Sequence, residues 1–184
     1  MEEDLVRLSK TISYALRHNP GGYGLQLDNE GRVPVEELLN ALRQRHEAWQ
    51  WVSAADLDRM AAASEKQRFE LHAGTIRAFY GHCIVERVEK QPAIPPALPY
   101  RGTTPQAASA IQQEGLRPMK RQYVHLSTSE QTARAVALRR TARPVIVHIS
   151  ALAAHHQGIR FYPGNQDIWL ADAIPPPFLH IQKE

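Results

Sequence analysis

Four prolines within ten residues, in Lys90-Gln91-Pro92-Ala93-Ile94-Pro95-Pro96-Ala97-Leu98-Pro99, constrain the fold of this chain more than any other feature. Each proline fixes its own φ, removes an amide donor and biases the residue before it away from helix, so no long element runs through the stretch. Residues 91–99 therefore read as a stiff, extended connector between a first lobe over 1–90 and a second over 100–184. With 184 residues, 43% of them hydrophobic, the chain has enough apolar material for a core in each lobe.

The first lobe opens on a helix. Leu5, Leu8, Ile12 and Leu16 recur at helical spacing, and Pro20-Gly21-Gly22 ends the pattern just after Arg17-His18. Turn residues fill Gly22 to Arg32. Val33-Pro34 then predicts a second helix with proline in its first turn and Val35, Leu38, Leu39 and Leu42 on its buried face. Ser53 and Asp56 predict a capping box at the start of a third helix whose inner face is Leu57, Met60 and Ala61. Two alternating runs, Lys66 to Leu71 and Ile76 to Tyr80, flank His72-Ala73-Gly74-Thr75 and predict a hairpin. Three short helices followed by a hairpin resemble a winged helix, an arrangement that binds nucleic acid in many proteins.

In the second lobe, Tyr100-Arg101-Gly102-Thr103 predicts a strand leading into a helix capped by Thr104, with Pro105 in its first turn and Gly115 at its end. A strand at Val124-His125-Leu126-Ser127, a helix from about Ser129 to Arg139 and a buried strand over 144–149 follow. Gly158 to Tyr162, Ile168 to Leu170 and Phe178 to Ile181 read as short strands between turns. The fold class is α+β, and the lack of a βαβ repeat or GxGxxG loop disfavours a dinucleotide domain of the Rossmann type.

Charge separates the halves more sharply than the net +3 suggests. Residues 1–98 hold 12 Lys+Arg against 14 Asp+Glu, whereas 99–184 hold 10 against 5, a net of −2 and +5. Arginine dominates the cationic half and is the better fork for phosphate oxygens, so a polyanionic partner such as nucleic acid or a dinucleotide is one reading; a solvated basic face is the other. Cys83 is the only cysteine, which excludes an internal disulfide and a thiolate zinc site. His155-His156 form the only close histidine pair and lack a third ligand at suitable spacing, so no metal is expected. The acidic, polar start MEEDLVRLSK and the lack of an 18-residue apolar run predict a cytoplasmic protein without a membrane span. The oligomeric state is not readable from the sequence, a monomer being one reading.

The adjacent cations at the end of the first helix have two readings. They offset the negative end of the helix dipole, or they present a guanidinium fork and a titratable imidazole to a phosphate.

Four segments in fixed order favour the second reading: LRHNP (16–20), RFEL with IRAFYGH (68–71 and 76–82), GLRPMKRQYVHLS (115–127) and IWLAD (168–172). Together they resemble the NAD-dependent RNA 2′-phosphotransferases, and the resemblance spans nearly the whole chain. It implies a winged-helix lobe followed by an ADP-ribosyltransferase-like mixed β lobe, acting on RNA with an internal 2′-phosphate and on NAD. The implied reaction has two steps. The 2′-phosphate attacks the ribosyl carbon of NAD and expels nicotinamide; the 2″-hydroxyl then displaces the RNA, giving ADP-ribose 1″,2″-cyclic phosphate. The family's catalytic set falls on Arg17, His18, Arg68 and Arg121, and its NAD contacts on Gly102, Thr103, His125 and Ser127.

That set suits the chemistry. A phosphate monoester is already ionised near neutral pH, so the first step needs aim rather than a base, and guanidinium donors can stabilise the charge that grows on phosphorus in the second without a metal. His18 is the member able to move a proton near pH 7. Five positions depart from the family pattern: Arg101 stands where histidine is usual, Tyr80 where glutamine is, Cys83 where serine is, and Gln166-Asp167 where Asn-Gly is. Two other readings remain open, a non-catalytic winged-helix nucleic-acid-binding protein and an ADP-ribosyltransferase that acts on nucleic-acid phosphates or protein and stops after the first step.

Overall fold

A computed structural model describes residues 2–64 and 67–181. The chain divides into two compact units, Met1–Glu89 and Lys90–Glu184. Among the described residues it is a mixed α+β fold of six α-helices, with its strands in two antiparallel sheets.

The first unit runs α1 (Glu2–Arg17), β1 (Arg32–Pro34), α2 (Val35–Arg45), α3 (Ala54–Ala62), β2 (Phe69–His72) and β3 (Thr75–Ala78). Leu8, Ile12 and Leu16 of α1 are fully buried against Leu38, Leu42, Leu57 and Ile76, so the apolar stripe on the first helix is the spine of this core. The helix stops where the amides of His18 and Asn19 both turn to the Tyr14 carbonyl, at 3.0 and 3.1 Å. The predicted capping box is present: the Asp56 carboxylate accepts from the Ser53 amide at 2.9 Å and from its hydroxyl at 2.6 Å, and pairs with Arg59.

One expectation fails here. Val33-Pro34 does not open a helix; Arg32–Pro34 is a strand whose register is Arg32↔Arg77, Val33↔Ile76 and Pro34↔Thr75, and α2 begins only at Val35. Proline is tolerated because β1 lies at the sheet edge, in the order β1-β3-β2. The predicted hairpin is β2 and β3, joined by the two residues Ala73 and Gly74, both with positive φ, the twist that suits a two-residue turn. Lys66, the predicted start of that hairpin, lies outside the described residues.

The second unit runs β4 (Tyr100–Thr103), α4 (Pro105–Glu114), β5 (Val124–Ser127), α5 (Glu130–Ala137), β6 (Val145–Ile149), α6 (Ala151–His156), β7 (Phe161–Pro163), β8 (Ile168–Ala171) and β9 (Leu179–Ile181). Its sheet has the order β7-β8-β5-β4-β6-β9. Leu126, Ile149, Phe161 and Ala171 form the buried centre of its core. The helix α6 was not expected from the sequence; it covers one face of this core through Ala151 and Ala154. The proline-rich segment is also more than a connector. Ala93 donates to the Phe161 carbonyl, and the Ala97 and Pro99 carbonyls accept from Ala151 and Ile149, so three of its backbone polar groups are paired within the second unit.

Asp56 gives the first unit a testable pH dependence. It is 3% exposed, and hydrogen bonds from Ser53, joined by Arg59, outweigh burial and hold its carboxyl below the usual value. A carboxyl depressed in the native state adds stability above its unfolded pKa, about 3.9, and loses it as pH falls through the native value. Asp56→Asn is therefore expected to lower the urea midpoint at pH 7, with the gap to wild type narrowing below about pH 4. A gap that stays constant from pH 7 to pH 3 would contradict this.

Candidate active site

In the first unit the end of α1 carries Arg17 and His18. Arg17 is held on three sides: its Nη2 donates to the Arg68 carbonyl at 3.2 Å, and its guanidinium carbon lies 5.3 Å from the Tyr80 ring centre and 5.9 Å from that of Phe69. Its own carbonyl accepts from the Cys83 amide at 2.9 Å. Tyr80 thus supplies an aromatic face for a guanidinium, a contact that glutamine at this position could not make. His18 is exposed, with its ring 6.0 Å from that of Tyr14. Arg68 immediately precedes β2, and its Nη1 donates to the Ser64 hydroxyl at 2.8 Å.

His18 and Arg68 line one cavity of about 340 Å³, together with Lys10, Ser13, Tyr14 and Met60. The structure therefore brings three of the four proposed catalytic residues together in one unit: Arg17 braces the backbone of Arg68, and the side chains of Arg68 and His18 face a shared space. Arg121 belongs to the second unit.

There, a second cavity of about 470 Å³ opens where the sheet parts. β4 pairs with β6 along its whole length, yet it is in register with β5 only at Tyr100↔Ser127. Beyond that point Arg101, Gly102 and Thr103 line the cavity together with Tyr123, Val124 and His125. The turn at Pro118–Arg121, closed by the Arg121 amide on the Pro118 carbonyl at 3.1 Å with Met119 at φ 58°, brings Arg121 to the same space. Gly102, Thr103, His125 and Arg121 are thus lining residues of one cavity. Ser127 is not among them; it is buried at the closed end of the β4–β5 pair.

His125 is buried and its Nδ1 lies 3.0 Å from the Tyr123 carbonyl. Arg101 reaches across from β4, its Nη1 donating to the His125 carbonyl at 2.9 Å. Burial, reinforced by the charges of Arg121 and Arg140, holds the Arg101 guanidinium below its ordinary value. Arg140 also lines this cavity, and the sequence marks it only through the excess of arginine in this half. The exposed Asp167 is absent from the lining, and its carbonyl is tied to the Thr128 amide at 2.9 Å.

Gly102 is required by packing as well as by its place on the cavity wall. A Cβ there would collide with the Ala133 carbonyl and come within 2.9 Å of the Ala137 Cβ, both on α5. Gly102→Ala is expected to destabilise the protein by about 2 kcal/mol or more, because the backbone of α5 must move to accept the methyl. Thermal unfolding checks this, and an unchanged midpoint would contradict it.

A family model described as RNA 2′-phosphotransferase, Tpt1/KptA family, matches residues 3–173. A protein named "Probable RNA 2′-phosphotransferase" from Acetivibrio thermocellus is 45% identical over 179 residues, covering 97% of this chain and 98% of its own length. Proteins of the same name from Bacillus thuringiensis subsp. konkukian and Streptomyces griseus subsp. griseus are 46% and 42% identical, over 178 and 187 residues, and each match covers 97% of this chain. Of their own lengths, 96% and 97% are covered.

Proposed function

Because the chain belongs to the RNA 2′-phosphotransferase, Tpt1/KptA, family, we propose that it removes an internal 2′-phosphate from RNA by transferring it to NAD. The single observation that carries the NAD part is the second unit's cavity, a space of ligand size with five cationic side chains and no carboxylate among its lining residues. A dinucleotide brings a pyrophosphate to such a space, and Gly102, Thr103 and His125 are the residues assigned to its remaining polar groups. Among the described residues no group of three or more His, Cys, Asp or Glu side chains is arranged to hold a metal ion, and no helix is long and apolar enough to cross a membrane.

The roles of the side chains follow from what each can offer. Arg17 and Arg68, joined through the Arg68 carbonyl, hold the 2′-phosphate dianion for attack on the ribosyl carbon; the new O–C bond forms as the C–N bond to nicotinamide breaks. Arg121 adds a guanidinium toward the phosphoryl oxygens, where charge grows as the ribose 2″-hydroxyl attacks phosphorus. His18, exposed on the wall of the first unit's cavity, passes a proton between that hydroxyl and the departing RNA 2′-oxygen. The topology of the first unit supports a winged-helix reading, since a β1-β3-β2 sheet follows an α–β–α–α–β–β chain order. The parted sheet of the second unit supports an ADP-ribosyltransferase-like one.

The test is a single-turnover incubation of wild type and single-alanine variants with an RNA holding one internal 2′-phosphate, with and without NAD. Wild type is expected to give dephosphorylated RNA and ADP-ribose cyclic phosphate only when NAD is present. Arg121→Ala is expected to slow the reaction by about 10²- to 10³-fold, the usual cost of one preorganised donor, and to let ADP-ribosylated RNA accumulate. His18→Ala is expected to lower the rate between pH 5 and 9 and to flatten its dependence on pH near neutrality. A wild-type rate in His18→Ala, or unchanged RNA with wild-type protein and NAD, would overturn the proposal.

A further inference from the structure

Arg101 occupies an unusual place in the sheet. From Tyr100 onward β4 and β5 separate, and the side chain of Arg101 crosses the gap to donate to the His125 carbonyl at 2.9 Å. A guanidinium has five N–H donors in a rigid fork, and among the described residues only this one acceptor is seen for them. The charged side chains around it are Arg117, Lys120, Arg121 and Arg140, of which, among the described residues, only Arg117 has a carboxylate partner, Glu114 at 3.7 Å. Repulsion from Arg121 and Arg140 is therefore uncompensated by any acidic side chain of the cavity, the electrostatic arrangement of a site that takes an anion.

We propose that Arg101 is a positioning residue with two faces: one nitrogen holds β5 across the split through the His125 carbonyl, and its remaining donors, with Arg140, receive a phosphoryl oxygen of the dinucleotide. The inference rests on the NAD reading given above. The apolar part of the lining, with Leu116, Val124 and Val136 beside Gly102, suits the flat base of a nucleotide, which favours the dinucleotide pyrophosphate over an RNA backbone phosphate as the source of the anion.

Isothermal titration of the full-length protein with ADP-ribose, with adenosine and with a short RNA holding an internal 2′-phosphate separates these sources. Arg101→Ala is expected to weaken ADP-ribose by about 10- to 100-fold, with adenosine and RNA changed by less than about 3-fold. The slope of log Kd for ADP-ribose against log salt should become shallower in the same variant, a change that loss of a purely structural contact would not cause. Arg101→Lys, which keeps the charge and loses the fork, should fall between the two, and it replaces Arg101→Ala should that variant fail to fold. Equal weakening of ADP-ribose and adenosine, or weakening of RNA alone, would overturn the assignment of the anion. Failure of the wild-type protein to bind ADP-ribose would instead overturn the NAD reading beneath it.

Discussion

The close approach of α5 to β4 over Gly102 is the contact on which the second unit's cavity depends. With no side chain at 102, the Ala133 carbonyl and the Ala137 methyl sit directly on the strand, and that brings Val136 and Arg140 to the cavity beside β4. The other wall is β5, a strand buried along all four residues and paired to β8 throughout, so it does not follow β4 when the two part. A sheet in which one strand is fully paired on one side and joined at a single register position on the other must open. The opening is where His125, Gly102 and Thr103 are found.

Electrostatics distinguish the two units as much as topology does. In the first unit Arg32 and Arg77 stand directly opposite one another across β1 and β3, and both are bridged by Glu70 and Glu30. Burial alone would raise Glu70, but Arg77 and Arg32 outweigh it and keep its carboxyl below the usual range. That quartet is a structural clamp for a sheet that would otherwise set like charges side by side. Around the cavity of the second unit the opposite holds, since Lys120, Arg121 and Arg140 have no ion pair with a described carboxylate. Cations gathered without counter-charge weaken a fold, and an anionic ligand reverses that penalty when it binds.

What the sequence disclosed was mostly local. The stripe Leu8-Ile12-Leu16, the Ser53–Asp56 box and the Ala73-Gly74 turn each depend on residues within a few positions of one another, and all three are found as read. β1 escaped notice because a three-residue edge strand holding a proline has no alternation to read, and it exists only through long-range pairing with β3. The six-residue α6 is too short for a periodic signal and is fixed by burial of Ala151 and Ala154. Prolines foretold the lack of helix and strand over 91–99, whereas the hydrogen bonds that dock this segment depend on partners fifty or more residues away. Alternation along β5 put His125 and Ser127 on one face but carried no information on where the sheet parts, which sets His125 in the cavity wall and leaves Ser127 in the closed end. Composition showed the basic half; choosing Arg121 from its ten cations took the resemblance to a family.

The proposed reaction moves the phosphate from RNA to a nucleotide and never to water. Tracing an isotopic label placed in the internal 2′-phosphate tests this most directly. The account predicts that the label appears wholly on an ADP-ribose product, in one-to-one amount with released nicotinamide. Label recovered as inorganic phosphate, or lost from the RNA without NAD, would contradict it.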